Sequence, residues 1–225
     1  ALESEISSLL ARHEDAVEAM RAVRYLRRRE TLRTAMGWTL GIVDIEDTCA
    51  GLAAIDECTI DAALRIALRE LQGAAEESEA GETAGEQLLT RIAIIGMGRL
   101  GGAENGFGSD ADVMFVHEPL EGVDEDAAQE QAARIVNRTL ALLKQPVKPP
   151  IRAERPLEVD ADLRPEGKQG AIVRSLDSYR SYYERWAETW EFQALTRARP
   201  IGGDPQLGEA FVELIDPYRY PATFT

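Results

Sequence analysis

Two short apolar runs, Ile92–Ile95 and Val113–Val116, constrain the fold of this chain more than any other feature. Each is bounded by turn-forming residues and reads as a buried strand. Between them lie six glycines: Gly96, Gly98, Gly101, Gly102, Gly106 and Gly108. A helix interior would lose about 1 kcal/mol at each of them relative to alanine, so the stretch is a loop. Asp110 and Asp112 stand at the mouth of the second strand. Side chains alternate along a strand, so both carboxylates leave one face, with Cα atoms about 6.6 Å apart. That spacing suits two divalent ions lying about 3.5–4 Å from each other, as in two-metal phosphoryl chemistry. Mg²⁺ is the natural candidate, because a few carboxylates and substrate phosphates complete its shell. Gly108 and Ser109 precede the pair and offer N–H groups and a hydroxyl to a phosphate. Gly96, Gly98 and Gly101 also satisfy a dinucleotide-binding spacing. The helix that should follow is interrupted at Gly102-Ala103-Glu104-Asn105, so that reading is set aside.

The bulk properties exclude several classes. A net charge of −15 over 225 residues and a pI near 4.6 argue against unspecific nucleic-acid binding. No apolar run reaches membrane-spanning length and the amino terminus lacks a signal-peptide pattern, so a soluble, cytoplasmic protein is expected. Cys49 and Cys58 read as inert thiols, not as a disulfide or zinc pair. The chain starts at Ala1 in helical sequence and ends without a domain boundary, as a fragment of a longer polypeptide would.

Apolar periodicity then divides the chain. Residues 1–72 read as a helical subdomain, with one helix over 3–35 and shorter ones over 45–54 and 59–71, and with breaks at Gly37 and Gly41. Arg27-Arg28-Arg29 reads as a solvated helix face. Residues 73–87 form an acidic linker, and 88–203 hold the core. His117 reads as a tolerated residue just past the second strand. A helix through Leu143 and a proline-rich connection at 145–156 follow. Leu176–Arg199 reads as one long helix whose aromatic row packs against the core. Asp204-Pro205 starts a last helix, opening a further helical region over 204–225.

Residues 157–164 alternate strictly, with Glu158, Asp160, Asp162 and Arg164 on one face and Leu157, Val159, Ala161 and Leu163 on the other. Phosphoryl transfer beside an Asp-x-Asp needs a third acidic group, and a neighbouring strand is its expected source. Glu158, Asp160 and Asp162 compete for that role.

The glycine loop, Gly108-Ser109 and Asp-x-Asp together resemble the signature of polymerase-β-like nucleotidyltransferases. The blocks Gly98-Arg99-Leu100-Gly101-Gly102-Ala103-Glu104, Gly108 to Asp112, Asp160 to Gly167 and Trp190 to Arg199 are similar, in order, to the glutamine-synthetase adenylyltransferase family. The resemblance covers most of the chain, more loosely over the amino-terminal helices. It implies an α+β fold with a nucleotidyltransferase core, a small mixed β-sheet and flanking helical regions. It also implies Asp110, Asp112 and Asp160 as catalytic and metal-binding residues holding two Mg²⁺, with Gly98, Arg99, Gly101, Gly102, Gly108 and Ser109 around ATP. Asp162 departs from the family, which often has arginine there, and Asn105 departs from a usual leucine. The implied activity is transfer of AMP from ATP to a tyrosine of glutamine synthetase, under regulation by PII protein. The wording Gly108 to Pro119 resembles the adenylylating head of actinobacterial-type members. The adenylyl-removing head and a non-catalytic regulatory module are the alternatives.

Overall fold

In a computed structural model, residues 2–73 and 86–220 are described. They form an α+β fold of eight α-helices and a five-stranded mixed sheet. Strand β1 (Thr90–Gly96) pairs antiparallel with β2 (Ala111–Pro119), and both expected strands are present. A two-residue strand β3 (Val159–Asp160) and β4 (Val173–Ser175) both lie parallel to β2, at its start and at its far half. Strand β5 (Arg199–Gly203) closes the other edge, antiparallel to β1.

Both faces of the sheet are covered, which is why β1 and β2 read as unbroken apolar runs. Ile92, Ile94, Val113 and Phe115 face one cluster, built with helices α1 (Leu2–Arg12), α2 (Ala16–Thr39), α3 (Ile45–Gly73) and α5 (Glu125–Lys144). Ala93, Ile95, Met114 and Val116 face the other, built with α6 (Leu176–Arg185), α7 (Thr189–Leu195) and α8 (Pro205–Arg219). The amino-terminal helices therefore share a core with the sheet. Several helices start on side-chain caps. Asp15, Asp124, Ser175 and Asp204 each accept a bond from the amide three residues on.

Local competition moves several expected boundaries. The helix expected over 3–35 breaks at His13–Asp15, where Asp15 caps α2, and Gly37 lies inside that helix. The two helices expected over 45–71 are one. Thr59, where the second was expected to start, is buried in α3 with its hydroxyl on the Ile55 carbonyl at 2.7 Å. The single helix expected over 176–199 does not exist. Glu191, buried, accepts from the Glu188 amide at 2.8 Å and the Tyr182 hydroxyl at 2.9 Å, and so fixes a turn between α6 and α7. Arg199, biased toward extended backbone by Pro200, then begins β5, whose edge position tolerates the proline. The alternating stretch at 157–164 pairs only at Val159–Asp160, then turns. Arg164, expected on its wet face, is buried with its guanidinium on the Ala161 and Gly170 carbonyls. The last helix starts as expected and runs to Arg219. Most of the expected acidic linker, residues 74–85, and residues 221–225 lie outside the described residues.

Candidate active site

The start of β2 assembles the acidic centre. Asp112 pairs in register with Asp160 of β3, so two carboxylates stand side by side on adjacent parallel strands. Asp110 joins them from the loop, and the three carboxylates offer oxygens within 4.8 Å of one another. The backbone holds this corner, with the Ala111 amide on the Glu158 carbonyl and the Met97 amide on the Asp112 carbonyl, each at 2.8 Å. Asp112 is half-buried, and its pKa is raised, first by burial and then by the Asp110 and Asp160 charges, with Arg99 opposing. Three mutually repelling hard oxygen donors, without a histidine or cysteine among them, fit Mg²⁺ better than a soft metal.

The three competitors for the third acid separate in space. Asp160 turns into the cluster, one of its oxygens also accepting from the Asp162 amide at 2.7 Å. Asp162 stays outside the cluster, its oxygens 3.3 Å from Arg164 and 3.3 Å from Lys168. Glu158 is exposed and contributes its carbonyl to the strand pairing. An open groove of about 650 Å³ runs past Asp110, Glu158 and Asp160 toward Lys144 and Lys168.

The glycine loop wraps the carboxylates through contacts that leave no room for side chains. Gly98 starts the one-turn helix α4 (Gly98–Gly101) at φ +51°, and a Cβ there would lie 2.2 Å from Asp112 Oδ2. At Gly101 a Cβ would lie 2.0 Å from the Arg197 carbonyl. The Gly101 and Gly102 amides bond the Met97 and Gly98 carbonyls, so these two glycines shape the loop's path. Arg99 reaches back to Asp110 at 3.4 Å and is more than half exposed. Gly108 lies under the Arg155 guanidinium, which donates to its carbonyl at 3.4 Å. Ser109 Oγ accepts from the Gly106 amide at 2.9 Å, which leaves the hydroxyl proton free to donate outward.

Several residues brace this loop from outside it. Arg199 donates to the Gly101 carbonyl at 3.1 Å and the Leu100 carbonyl at 3.3 Å while also pairing with Glu57 of α3. Arg197 pairs with Glu104. Both arginines therefore hold the loop from β5's approach. Asp56 of α3 is buried between Arg27 Nε at 2.8 Å and Asn105 Nδ2 at 3.0 Å, and Arg27 also donates to the Arg155 carbonyl at 2.9 Å. Arg27, read as a solvated residue, is thus a link among α2, α3, the loop and the proline-rich connection. The Asn105 departure falls on this scaffold. The only cue in the sequence is polar character at helix positions that periodicity assigns to the interior.

His117 stays away from the acidic centre. It lies inside β2, buried, with Nε2 on Gln129 at 2.8 Å and Nδ1 on Thr90 at 3.0 Å. Burial lowers its pKa, and Gln129, whose own amide donates to the Val173 carbonyl, accepts the Nε2 proton. The aromatic row divides as well. Tyr179 and Tyr183 are core residues against Phe211, whereas Trp186 and Trp190 are exposed.

Comparisons with known proteins agree on one family. The profile of the family described as Glutamate-ammonia ligase adenylyltransferase matches residues 1–214. A curated "Bifunctional glutamine synthetase adenylyltransferase/adenylyl-removing enzyme" of Corynebacterium efficiens is 44% identical over 217 residues, covering 96% of this chain and 20% of that protein. The protein of the same name from Corynebacterium glutamicum is 45% identical over 216 residues, with the same coverage of 96% and 20%. That from Mycolicibacterium smegmatis is 46% identical over 222 residues, covering 97% and 21%. The chain spans about a fifth of the length of these relatives.

Proposed function

This chain belongs to the glutamate-ammonia ligase adenylyltransferase family, and from that premise we propose that it is an adenylyl-transferring head, moving AMP from ATP to a tyrosine hydroxyl of glutamine synthetase. The observation that carries the proposal is the convergence of Asp112 and Asp160, from two paired strands, with Asp110 from the glycine loop beside them. Such a corner suits phosphoryl transfer, where positioning and charge stabilisation make up nearly all of the catalysis.

Asp110, Asp112 and Asp160 would hold Mg²⁺, which when bound neutralises charge developing on the attacking and leaving oxygens. The remaining work falls to the chain itself. The Ser109 hydroxyl and the Arg99 guanidinium supply donors to the triphosphate, and the bend at Gly98 lets the chain approach it closely. The phenol oxygen attacks the α-phosphorus in line, its bond to phosphorus forms as the bond to the β-phosphate oxygen breaks, and pyrophosphate leaves. Asp160, on the half-buried side of the cluster, is the group we assign to accept the phenol proton.

The relatives' printed names include adenylyl removal, which favours one second reading: the same carboxylates with inorganic phosphate as attacking group, releasing ADP. PII protein, as a regulatory partner, and a cytoplasmic location complete the proposal. In its support, no helix among the described residues is long and apolar enough to cross a membrane. Incubation with α-labelled ATP, Mg²⁺ and unmodified glutamine synthetase tests the assignment, and label on the enzyme's tyrosine is expected. ADP release from adenylylated glutamine synthetase on addition of phosphate, with no labelling, would replace it by the removing head.

A further inference from the structure

The carboxyl-terminal end of α2 and the segment after it expose apolar side chains that belong to no core. Leu32, Met36, Trp38, Leu40 and Ile42, together with Phe107 of the glycine loop, are between 43% and 75% exposed. The Trp38 and Phe107 rings lie 5.9 Å apart, so helix and loop form one surface. Large side chains gathered this way on an otherwise acidic chain mark an interaction site.

A groove of about 410 Å³ opens beside this patch at Leu32 and Phe107 and reaches Ser109, the residue before Asp110. Its walls include Arg28 and Leu32 of α2, Phe107 to Ser109 of the loop, and Arg155. Pro156 and Glu158 line both this groove and the one that passes Asp110 and Asp160. The neighbouring arginines are committed: Arg24 to Glu154, Arg27 to Asp56 and Arg29 to Glu5. Among the described residues Arg28 has no carboxylate partner, and the guanidinium of Arg155 meets only the Gly108 carbonyl. In a chain of net charge −15, these are two cations placed at the head of an apolar surface.

We propose that this patch and groove dock the protein that accepts the nucleotidyl group, gripping an apolar and acidic segment next to the tyrosine. The proposal rests on the transfer reaction assigned above. Apolar side chains of the segment cover Leu40, Ile42 and Trp38, and its carboxylates meet Arg28 and Arg155, which orients it along the groove toward Asp110. A nucleotide is too small to cover a surface that continues past the end of α2. A two-fold contact of the patch with itself would bring Arg28 and Arg155 of both copies into one interface.

The test uses purified glutamine synthetase as probe, with Leu40→Asp/Ile42→Asp and Arg28→Glu as two separate variants. All three positions are exposed, so the melting temperature should match wild type. Immobilised glutamine synthetase should bind each variant at least tenfold more weakly than wild type. In label transfer, KM for glutamine synthetase should rise by a similar factor with KM for ATP unchanged. Wild-type binding by both variants would overturn the docking proposal and leave the transfer reaction standing. Weakened ATP binding instead would assign the groove to the nucleotide, and a wild-type dimer dissolved by the aspartates would assign the patch to self-association. Each of these also overturns it. Binding lost in the variants while wild type labels nothing would uphold the dock and overturn the transfer reading. A wild type that neither binds nor labels would overturn both.

Discussion

Asp112 owes its position to a glycine fourteen residues earlier in the chain, because the space a Cβ would fill at Gly98 is occupied by the Asp112 carboxylate, 2.2 Å away. An alanine there adds strain from the positive φ and forces the carboxylate aside, while the loop itself can shift to keep its amides bonded. Gly98→Ala should therefore cut the rate of AMP transfer by about 100-fold or more, since displacement by about 1 Å costs that much. Thermal unfolding and initial-rate kinetics on the same preparation would check this, with a melting temperature near wild type expected. At this scale the Asp-x-Asp and the glycines were legible because their residue types are costly anywhere else. The split between Asp160 and Asp162 was not legible. Both alternate onto one face on paper, and only the turn after Asp160, closed by the buried Arg164 guanidinium, sends Asp162 toward Lys168.

Strands β1 and β2 were readable as elements because both faces are covered along Ile92–Ile95 and Val113–Val116, where every residue is apolar. Strand β5 and the break between α6 and α7 were hidden, since the buried Glu191 cap looks in sequence like one more polar helix residue. Equally hidden was the tie between α3 and the glycine loop. Asp56 stands buried between Arg27 and Asn105, and removing its carboxylate would leave a guanidinium with only the Arg155 carbonyl and a buried amide with no partner. Asp56→Ala should lower stability by about 3 kcal/mol, at the low end for a broken buried pair because Arg27 keeps some contact with water. Urea unfolding followed by circular dichroism would measure it, and a loss under about 1 kcal/mol would mean the link is not a structural brace.

At the level of the whole molecule, the acidic centre lies where three parts meet: β2 and β3 supply Asp112 and Asp160, the loop supplies Asp110 and the bend at Gly98, and α2, α3 and β5 fix the loop from outside. Sequence motifs supplied the first two parts. The third came from tertiary contact, because Arg27 read in isolation as solvated charge and Arg199 as the end of a long helix. The central claim is that carboxylates from two paired strands and the loop beside them form a single catalytic centre with Asp160 as its third member. The most direct measurement compares AMP transfer to glutamine synthetase by Asp160→Ala and Asp162→Ala, with melting temperatures recorded for both. The account predicts that Asp160→Ala loses activity by about three orders of magnitude in a folded protein, while Asp162→Ala stays within about tenfold of wild type. An active Asp160→Ala beside an inactive, folded Asp162→Ala would contradict it.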